Sequence, residues 1–330
     1  MRSTREDKRR HFRHFLVALL ALCFAVAALC LIHFWEKGQG EFSAFNSEET
    51  VVKYNGKEYE KKENIETFLL LGLDTYAEAT DEDAYTNDMQ ADYILLFVFD
   101  NDNKTTSAIQ INRDTMANVN ILGVAGQKVD TAVKQIAIAH TYGNGEEVSC
   151  YNVAESVSNL LLGVEVKHFL SSTIDSIAVI NDLVDGVEVE VLNSFEGIDD
   201  SLIEGEVITL NGEQATNYVR SRHGLSDSTN QTRMNRQIQY MTALQKKAQY
   251  KLETDENFVI DASLAISEYI VSDRSVNQLQ ELANKFSEYE FLGIQTLDGE
   301  LKEGEKYMEF YPAKASIEHI VASTFYTLKK

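Results

Sequence analysis

Residues 67–74 read Thr-Phe-Leu-Leu-Leu-Gly-Leu-Asp, and residues 91–100 read Ala-Asp-Tyr-Ile-Leu-Leu-Phe-Val-Phe-Asp. Each holds an apolar run without the polar gaps of a surface helix, Phe68–Leu73 in the first and Tyr93–Phe99 in the second. Continuous runs of this length fit strands buried on both faces. Ala108, Ile109 and Ile111 make a third strand that ends at Asn112. Farther along, Val129, Val133, Ile136 and Ala137 fall at helical spacing. They predict a helix over 129–142, stopped by Gly143-Asn144-Gly145. Ser149 is placed to cap the start of a helix carrying Val153, Val157, Leu160 and Leu161, with Gly163 as its stop. Ile174–Val184 reads as a helix ended by Gly186, and Val187–Leu192 and Val207–Leu210 as strands. Further helices are expected at Gly212–Ser221, Thr232–Lys251, Asp261–Tyr269 and Ser275–Phe286. A strand at Ile294–Leu297 and a closing helix at Ile317–Leu328 complete the chain. Strands alternating with helices predict an α/β sandwich.

The N-terminal end has a different composition. Residues 1–14 carry Arg2, Arg5, Lys8, Arg9, Arg10 and Arg13 against Glu6 and Asp7, a local charge of +4. Phe15 to Ile32 then contains no charged or polar residue other than cysteine. A run of about 20 apolar residues matches the hydrocarbon thickness of a bilayer. Cations before it and near-neutral residues after it place the N-terminus in the cytoplasm by the positive-inside rule. The bulky Cys30–Trp35 segment lacks a small-x-small cleavage site, which favours a retained anchor over a cleaved signal peptide. The expected organisation is a basic cytoplasmic tail at 1–14 and a transmembrane helix at 15–35. An extracytoplasmic linker follows at 36–64, with a short hairpin around Tyr54–Tyr59, and one domain spans 65–330. This predicts a single-pass protein of the cell membrane with its main domain outside.

The net charge is −22, so the chain beyond the tail carries −26. A body that acidic repels nucleic-acid phosphates, and no nucleic-acid partner is expected. Two of the three cysteines, Cys23 and Cys30, lie in the apolar run, so Cys150 has no partner for an internal disulfide. The single proline, Pro312, leaves the turns to Gly, Asn and Asp. No GxGxxG follows the first strand, and no Walker loop, HExxH or GxSxG is present.

Arginine use is selective. Beyond the apolar run the chain has 18 lysines but six arginines: Arg113, Arg220, Arg222, Arg233, Arg236 and Arg274. Five of the six fall at 113 and within 220–236. Lysine supplies the general surface charge, and clustered arginine suits the bidentate grip of an anion. The competing reading is surface ion pairs with the many carboxylates. Arg233, Arg236 and Gln237 share one helix face, with Tyr240 a turn on. Arg220 and Arg222 are two apart and cannot share a helix face, so a helix must end near Arg220 if both are to meet one ligand.

Two acids bracket the first two strands, Asp74 at the end of one and Asp92 at the start of the next. In parallel neighbouring strands they lie at opposite ends, unless the 74–92 connection loops back. Such a pair near arginines suits a magnesium ion shared with a pyrophosphate. The competing reading is turn capping, the common role of aspartate at strand ends.

These segments, taken in order, resemble the LytR–CpsA–Psr family. The resemblance starts with Leu71-Gly72-Leu73-Asp74, continues through Ala91-Asp92-Tyr93-Ile94 and Asn112-Arg113-Asp114-Thr115, and passes Leu183-Val184-Asp185-Gly186-Val187 with one glycine missing. It then covers Leu210-Asn211-Gly212-Glu213-Gln214-Ala215 with Arg220-Ser221-Arg222, and closes on Arg233-Met234-Asn235-Arg236-Gln237. It spans roughly residues 65–250, and each piece is weak while six in order are specific.

The resemblance implies a three-layer α/β/α sandwich with a central mixed sheet, preceded by one transmembrane helix. It implies a phosphotransferase that takes a glycopolymer, such as teichoic acid or capsule, from an undecaprenyl-pyrophosphate carrier. The polymer is attached by a phosphodiester to a peptidoglycan sugar hydroxyl. The implied partners are the polyprenyl-pyrophosphate-linked glycan donor, the peptidoglycan acceptor and the membrane. Arg113, Arg220, Arg222, Arg233 and Gln237 are implied to bind the pyrophosphate. Asp74 and Asp92 are implied to hold Mg²⁺ (or Mn²⁺) or to assist deprotonation of the acceptor, and Asp74, Asp92 and Arg113 form the catalytic set. The guanidinium groups of Arg113, Arg220 and Arg233 are then expected to converge on one headgroup. This sequence departs from the family pattern at three places. Gln90 and Gln135 stand where an arginine and a lysine are usual, and Asn230 stands where an aspartate is usual. These departures leave two further readings open, a non-catalytic binding or regulatory protein and a lipid-pyrophosphate hydrolase.

Overall fold

The computed structural model describes residues 50–74, 87–221, 230–255, 258–275, 277–279, 281 and 289–329. The tail at 1–14, the apolar run at 15–35 and most of the helix expected at Ser275–Phe286 lie outside these residues. Among the described residues no helix is long and apolar enough to cross a membrane.

In chain order the strands are β1 (Val51–Tyr54), β2 (Lys57–Lys61), β3 (Ile65–Leu73), β4 (Ala91–Asp100), β5 (Thr105–Ile111), β6 (Met116–Leu122) and β7 (Lys128–Gln135). A 3₁₀ turn at Ile136–Thr141 leads to α1 (Glu147–Leu160), then β8 (His168–Thr173) and α2 (Asp175–Leu183). β9 (Val187–Glu190), β10 (Val207–Leu210), α3 (Gly212–Arg220), α4 (Asn230–Thr254) and α5 (Phe258–Ile266) follow. The chain ends with β11 (Ile270–Ser272), β12 (Glu290–Thr296), β13 (Gly299–Glu303), β14 (Met308–Pro312), α6 (Lys314–Phe325) and β15 (Tyr326–Leu328). The result is a mixed α/β fold with a central mixed sheet in the order β11-β8-β3-β4-β5-β12.

The chain forms two compact units. Among the described residues, one holds 50–171 with 271–273 and 295–329. Its core is built on β3, β4 and β5, the three strands expected from their apolar runs. Leu69, Leu71, Ile94, Leu96 and Ile109 are fully buried on one face of the sheet, against Val153, Val157 and Leu161 of α1 and its exit. Phe68, Leu70, Leu95 and Phe97 on the opposite face are buried too. Each such side chain contributes roughly 1.5–3 kcal/mol by leaving water. The hairpin expected around Tyr54–Tyr59 is present, turned by Asn55 and Gly56 at positive φ, and β15 pairs with its second strand.

Four expectations are corrected in this unit. β3 and β4 run antiparallel, so Asp74 and Asp92 lie at the same sheet edge rather than at opposite ends. Residues 128–135 form a strand, not a helix, because they pair along β6 from Met116 to Leu122. Val129 and Val133, counted as a helical stripe, are on the exposed face of that hairpin. Ser149 is not the cap of α1, which starts at Glu147. Its hydroxyl accepts from Gly145 N (2.8 Å) and faces Tyr142 O (3.2 Å), folding the glycine turn before the helix. The closing helix stops at Phe325, since the next three residues pair with β2.

A buried polar knot joins the entry of β4 to the 3₁₀ turn. Asn87 Nδ2 donates to His140 O (3.0 Å), and His140 Nδ1 donates to Met89 O (3.0 Å). That leaves His140 Nε2 as an acceptor for the Cys150 thiol, 3.7 Å away. Burial lowers the His140 pKa to about 4 and raises that of Cys150 to about 12. Cys150 is therefore a thiol donor, not a nucleophile.

The second unit holds Ser172–Ile270 and Arg274–Ile294. The β9–β10 hairpin carries Val187 and Val189 inward, and α3 follows after Asn211. Asn211 and Gln214 form a reciprocal capping box at the start of α3. Asp185 and Gly186 both adopt positive φ after α2, and a Cβ on Gly186 would lie 2.7 Å from Leu210 O.

The His140 shift predicts a pH dependence. The unfolded imidazole takes a proton near pH 6.5 while the folded one resists to about 4. The contribution is whole above pH 6.5 and is lost as pH falls toward 4, by about 3 kcal/mol. Urea titrations between pH 7.5 and 4 should show a shallower slope for His140→Asn than for the native chain. Equal slopes would remove His140 as the cause.

Candidate functional site

The first unit builds a polar edge where β3, β4 and β5 end together. The pairing of β3 with β4 passes from Gly72↔Tyr93 to Leu73↔Ala91, so Asp92 is the extra residue of a β-bulge. A bulge re-aims the side chain it carries. Gly72 permits it, because a Cβ there would come 2.8 Å from Tyr93 Cβ. At the adjacent end of β5, Asn112 makes a turn in which its side chain accepts from Asp114 N (2.9 Å) and its carbonyl from Thr115 N (3.0 Å). The turn projects Arg113 across the bulge.

Arg113 donates from Nη1 to Asp92 Oδ1 and from Nη2 to Gln90 Oε1. Its Nε lies 3.5 Å from Asp114 Oδ1. Both acids and the guanidinium are at least partly buried, which strengthens their attraction over that of a surface pair. Gln135 donates to Asp114 Oδ1 (3.1 Å) and Met308 O (2.8 Å), and Phe310 N donates to Asp114 O (2.8 Å). Ala137 N donates to Arg113 O (3.2 Å). The backbone that carries Arg113 is thus held from two sides. Asp74 follows β3 directly at the same edge as Asp92. Among the described residues no three His, Cys, Asp or Glu side chains gather as a metal-holding group.

The second unit carries the other arginines. Arg220 is exposed at the last position of α3, and Arg222 lies outside the described residues. Arg233 and Arg236 are 3% and 1% exposed, so neither is a surface cation. Arg233 Nη2 donates to Asn230 Oδ1 (2.6 Å). Arg236 donates from Nε to Tyr218 O (2.8 Å), from Nη1 to Asn193 Oδ1 (2.9 Å) and from Nη2 to Ser221 O. Gln237 donates to Val219 O (3.2 Å).

The structure joins Asp92 to Arg113 and sets Gln237 on the end of α3. Sequence reasoning missed that Gln90 accepts from Arg113 and that Asp114 and Gln135 brace it. Strand periodicity offered no signal for this, because Gln90 precedes β4 and Asp92 is the extra residue of the bulge.

The contact between Gly72 and Tyr93 can be tested directly. Gly72→Ala should cost about 1–3 kcal/mol in chemical denaturation, because the crowding atom is the base of a side chain and cannot swing away. In a Tyr93→Gly background the cost should shrink; the same cost in both backgrounds would mean the contact is not its origin.

The crystal structure of B. subtilis TagV is 20% identical, with a TM-score of 0.59 over 80% of this chain and 96% of that one. Protein gbs0355 from Streptococcus agalactiae is 19% identical, with a TM-score of 0.62 over 79% and 86% of the two chains. The structure of TagT bound to LI-WTA is 18% identical, with a TM-score of 0.57 over 79% and 89%. These likenesses show a common fold. No curated protein matches by sequence. The LytR_cpsA_psr family matches over residues 31–324. The chain therefore belongs to the LytR_cpsA_psr family, whose members transfer cell-wall glycopolymers to peptidoglycan.

Proposed function

We propose that this chain is a membrane-anchored phosphotransferase that moves a glycopolymer from an undecaprenyl-pyrophosphate carrier to a sugar hydroxyl of peptidoglycan. The acceptor oxygen attacks the phosphorus that bears the glycan. The bond from that phosphorus to the bridging oxygen breaks, polyprenyl phosphate leaves, the acceptor proton is released, and a phosphodiester remains. Family membership supports this reading, and so does TagT, a solved neighbour in fold that is bound to LI-WTA. The observation that carries it is the braced Arg113 beside Asp92 at a sheet edge. Phosphoryl transfer asks for positioning and charge neutralisation rather than covalent catalysis, and a fixed guanidinium supplies both.

In this reading Arg113, Arg220, Arg222, Arg233 and Gln237 bind the pyrophosphate. Asp74 and Asp92, two carboxylates at one edge, fit a hard cation that completes its shell with phosphate oxygens and water. Bound Mg²⁺ or Mn²⁺ would neutralise charge on the phosphates. Asp92 has a second duty as the acceptor that aims Arg113. The apolar run at 15–35 keeps the domain at the outer face of the membrane, next to its donor, and so raises the effective donor concentration.

The test uses the full chain in detergent with Mg²⁺, a lipid-pyrophosphate-linked radiolabelled glycan and peptidoglycan. Label should enter the peptidoglycan, and Arg113→Ala should slow this by about 100-fold or more. Chelation should stop it and added Mg²⁺ should restore it. Release of free phosphorylated glycan would identify a hydrolase instead, and tight binding without turnover would identify a binding protein.

A further inference from the structure

We propose that Arg236 is a positioning residue for anion binding, acting by closing the carboxyl end of α3 and so aiming Arg220. This rests on the reading above in one respect, that Arg220 meets a pyrophosphate.

The last carbonyls of any helix lack partners within it. Many helices solve this with a left-handed glycine, which folds the next amides back onto them. α3 has no such glycine. Its closing residue, Ser221, is extended, with φ −63° and ψ 135°, so the chain leaves straight and the carbonyls stay open. They are satisfied from outside instead. Arg236 takes those of Tyr218 and Ser221, and its neighbour Gln237 takes that of Val219. Two consecutive side chains of α4 thus hold three carbonyls that bracket Arg220.

The guanidinium is itself fixed. Asn193 takes its third donor at 2.9 Å. The Phe195 ring lies 5.3 Å from its central carbon and the Tyr218 ring 6.0 Å, attractive distances for a cation and an aromatic face. The two rings stack at 5.5 Å. The Tyr218 hydroxyl accepts from Leu192 N (3.3 Å) and faces Glu190 O (3.2 Å), so the base of this assembly belongs to the β9 region. A positive charge at a helix carboxyl end also suits the helix dipole. Lysine cannot replace this arrangement, because one ammonium cannot present donors from Nε, Nη1 and Nη2 in three fixed directions.

The device has a functional consequence. Arg220 is exposed, yet the backbone on both sides of it is fastened to a buried group. A long side chain mounted on a fixed backbone reaches a smaller volume than one on a frayed helix end. Binding then loses less freedom. Asn193, Phe195, Tyr218 and Arg236 serve that purpose without touching a ligand.

Two measurements on the full chain in detergent test this. The first is amide hydrogen exchange, which needs no ligand. Arg236→Lys should speed exchange in the peptide covering 218–221 by about tenfold or more, with little change in β3–β5. The second is binding of farnesyl pyrophosphate by calorimetry in the absence of acceptor. Arg220→Ala and Arg236→Lys should each weaken it by about tenfold, and the double variant should be no weaker than Arg220→Ala. That non-additivity is what a merely structural role would not give. Unchanged exchange at 218–221, unchanged binding by Arg236→Lys, or additive losses would each overturn the proposal. A native chain that does not bind farnesyl pyrophosphate would sink the functional reading, and this proposal with it, even if the exchange result held.

Discussion

A missing side chain sets the geometry of the polar edge. Gly72 lets β3 press its backbone against the base of Tyr93, and there the ladder slips by one residue around Asp92. The slip turns a strand residue out of alternation and toward the end of β5. Everything around Arg113 follows from it: the pairing with Asp92, the help from Gln90 and the bracing of Asp114 by Gln135. The apolar sheet beneath supplies the stiffness, and the polar edge inherits it.

The helical unit solves a different problem with the same economy of parts. A helix that must end in an outward-pointing cation cannot curl back on itself as a glycine-capped helix does. Its open carbonyls are met by donors from the next helix, and those donors are buried among aromatic rings. Both units therefore use arginine as a structural fork as well as a charge. Arg113 joins the end of β5 to the start of β4, and Arg236 joins a helix end to a loop.

The central strands were legible because burial on both faces removes polar residues outright, and no other element gives that signal at that length. The β6–β7 hairpin was not. Val129 and Val133 are four apart in a strand as much as in a helix, and the β-branched alternation of Val129, Thr131 and Val133 was the better guide. The partner strand that decided the matter, Met116–Leu122, has no strong apolar run of its own. The three residues of β15 were absorbed into a helix for a similar reason, since only their pairing with β2 distinguishes them. At the site, residue types were readable and pairings were not. The selective use of arginine drew attention to Arg113 and Arg236 alike. Composition could not tell that one lies at a polar edge beside Asp92 while the other is sealed among rings.

Cys150 carries a last implication. Its sulfur is fully buried and donates to a neutral imidazole, with ionisation pushed far above physiological pH. Oxidants and alkylating reagents need the thiolate and a path to it, and the native fold denies both. The residue can therefore persist in an oxidising milieu without forming mixed disulfides. Any covalent tag that does reach it reports a moment when the sheet and α1 have come apart, which makes the wild-type sequence its own clock for global opening.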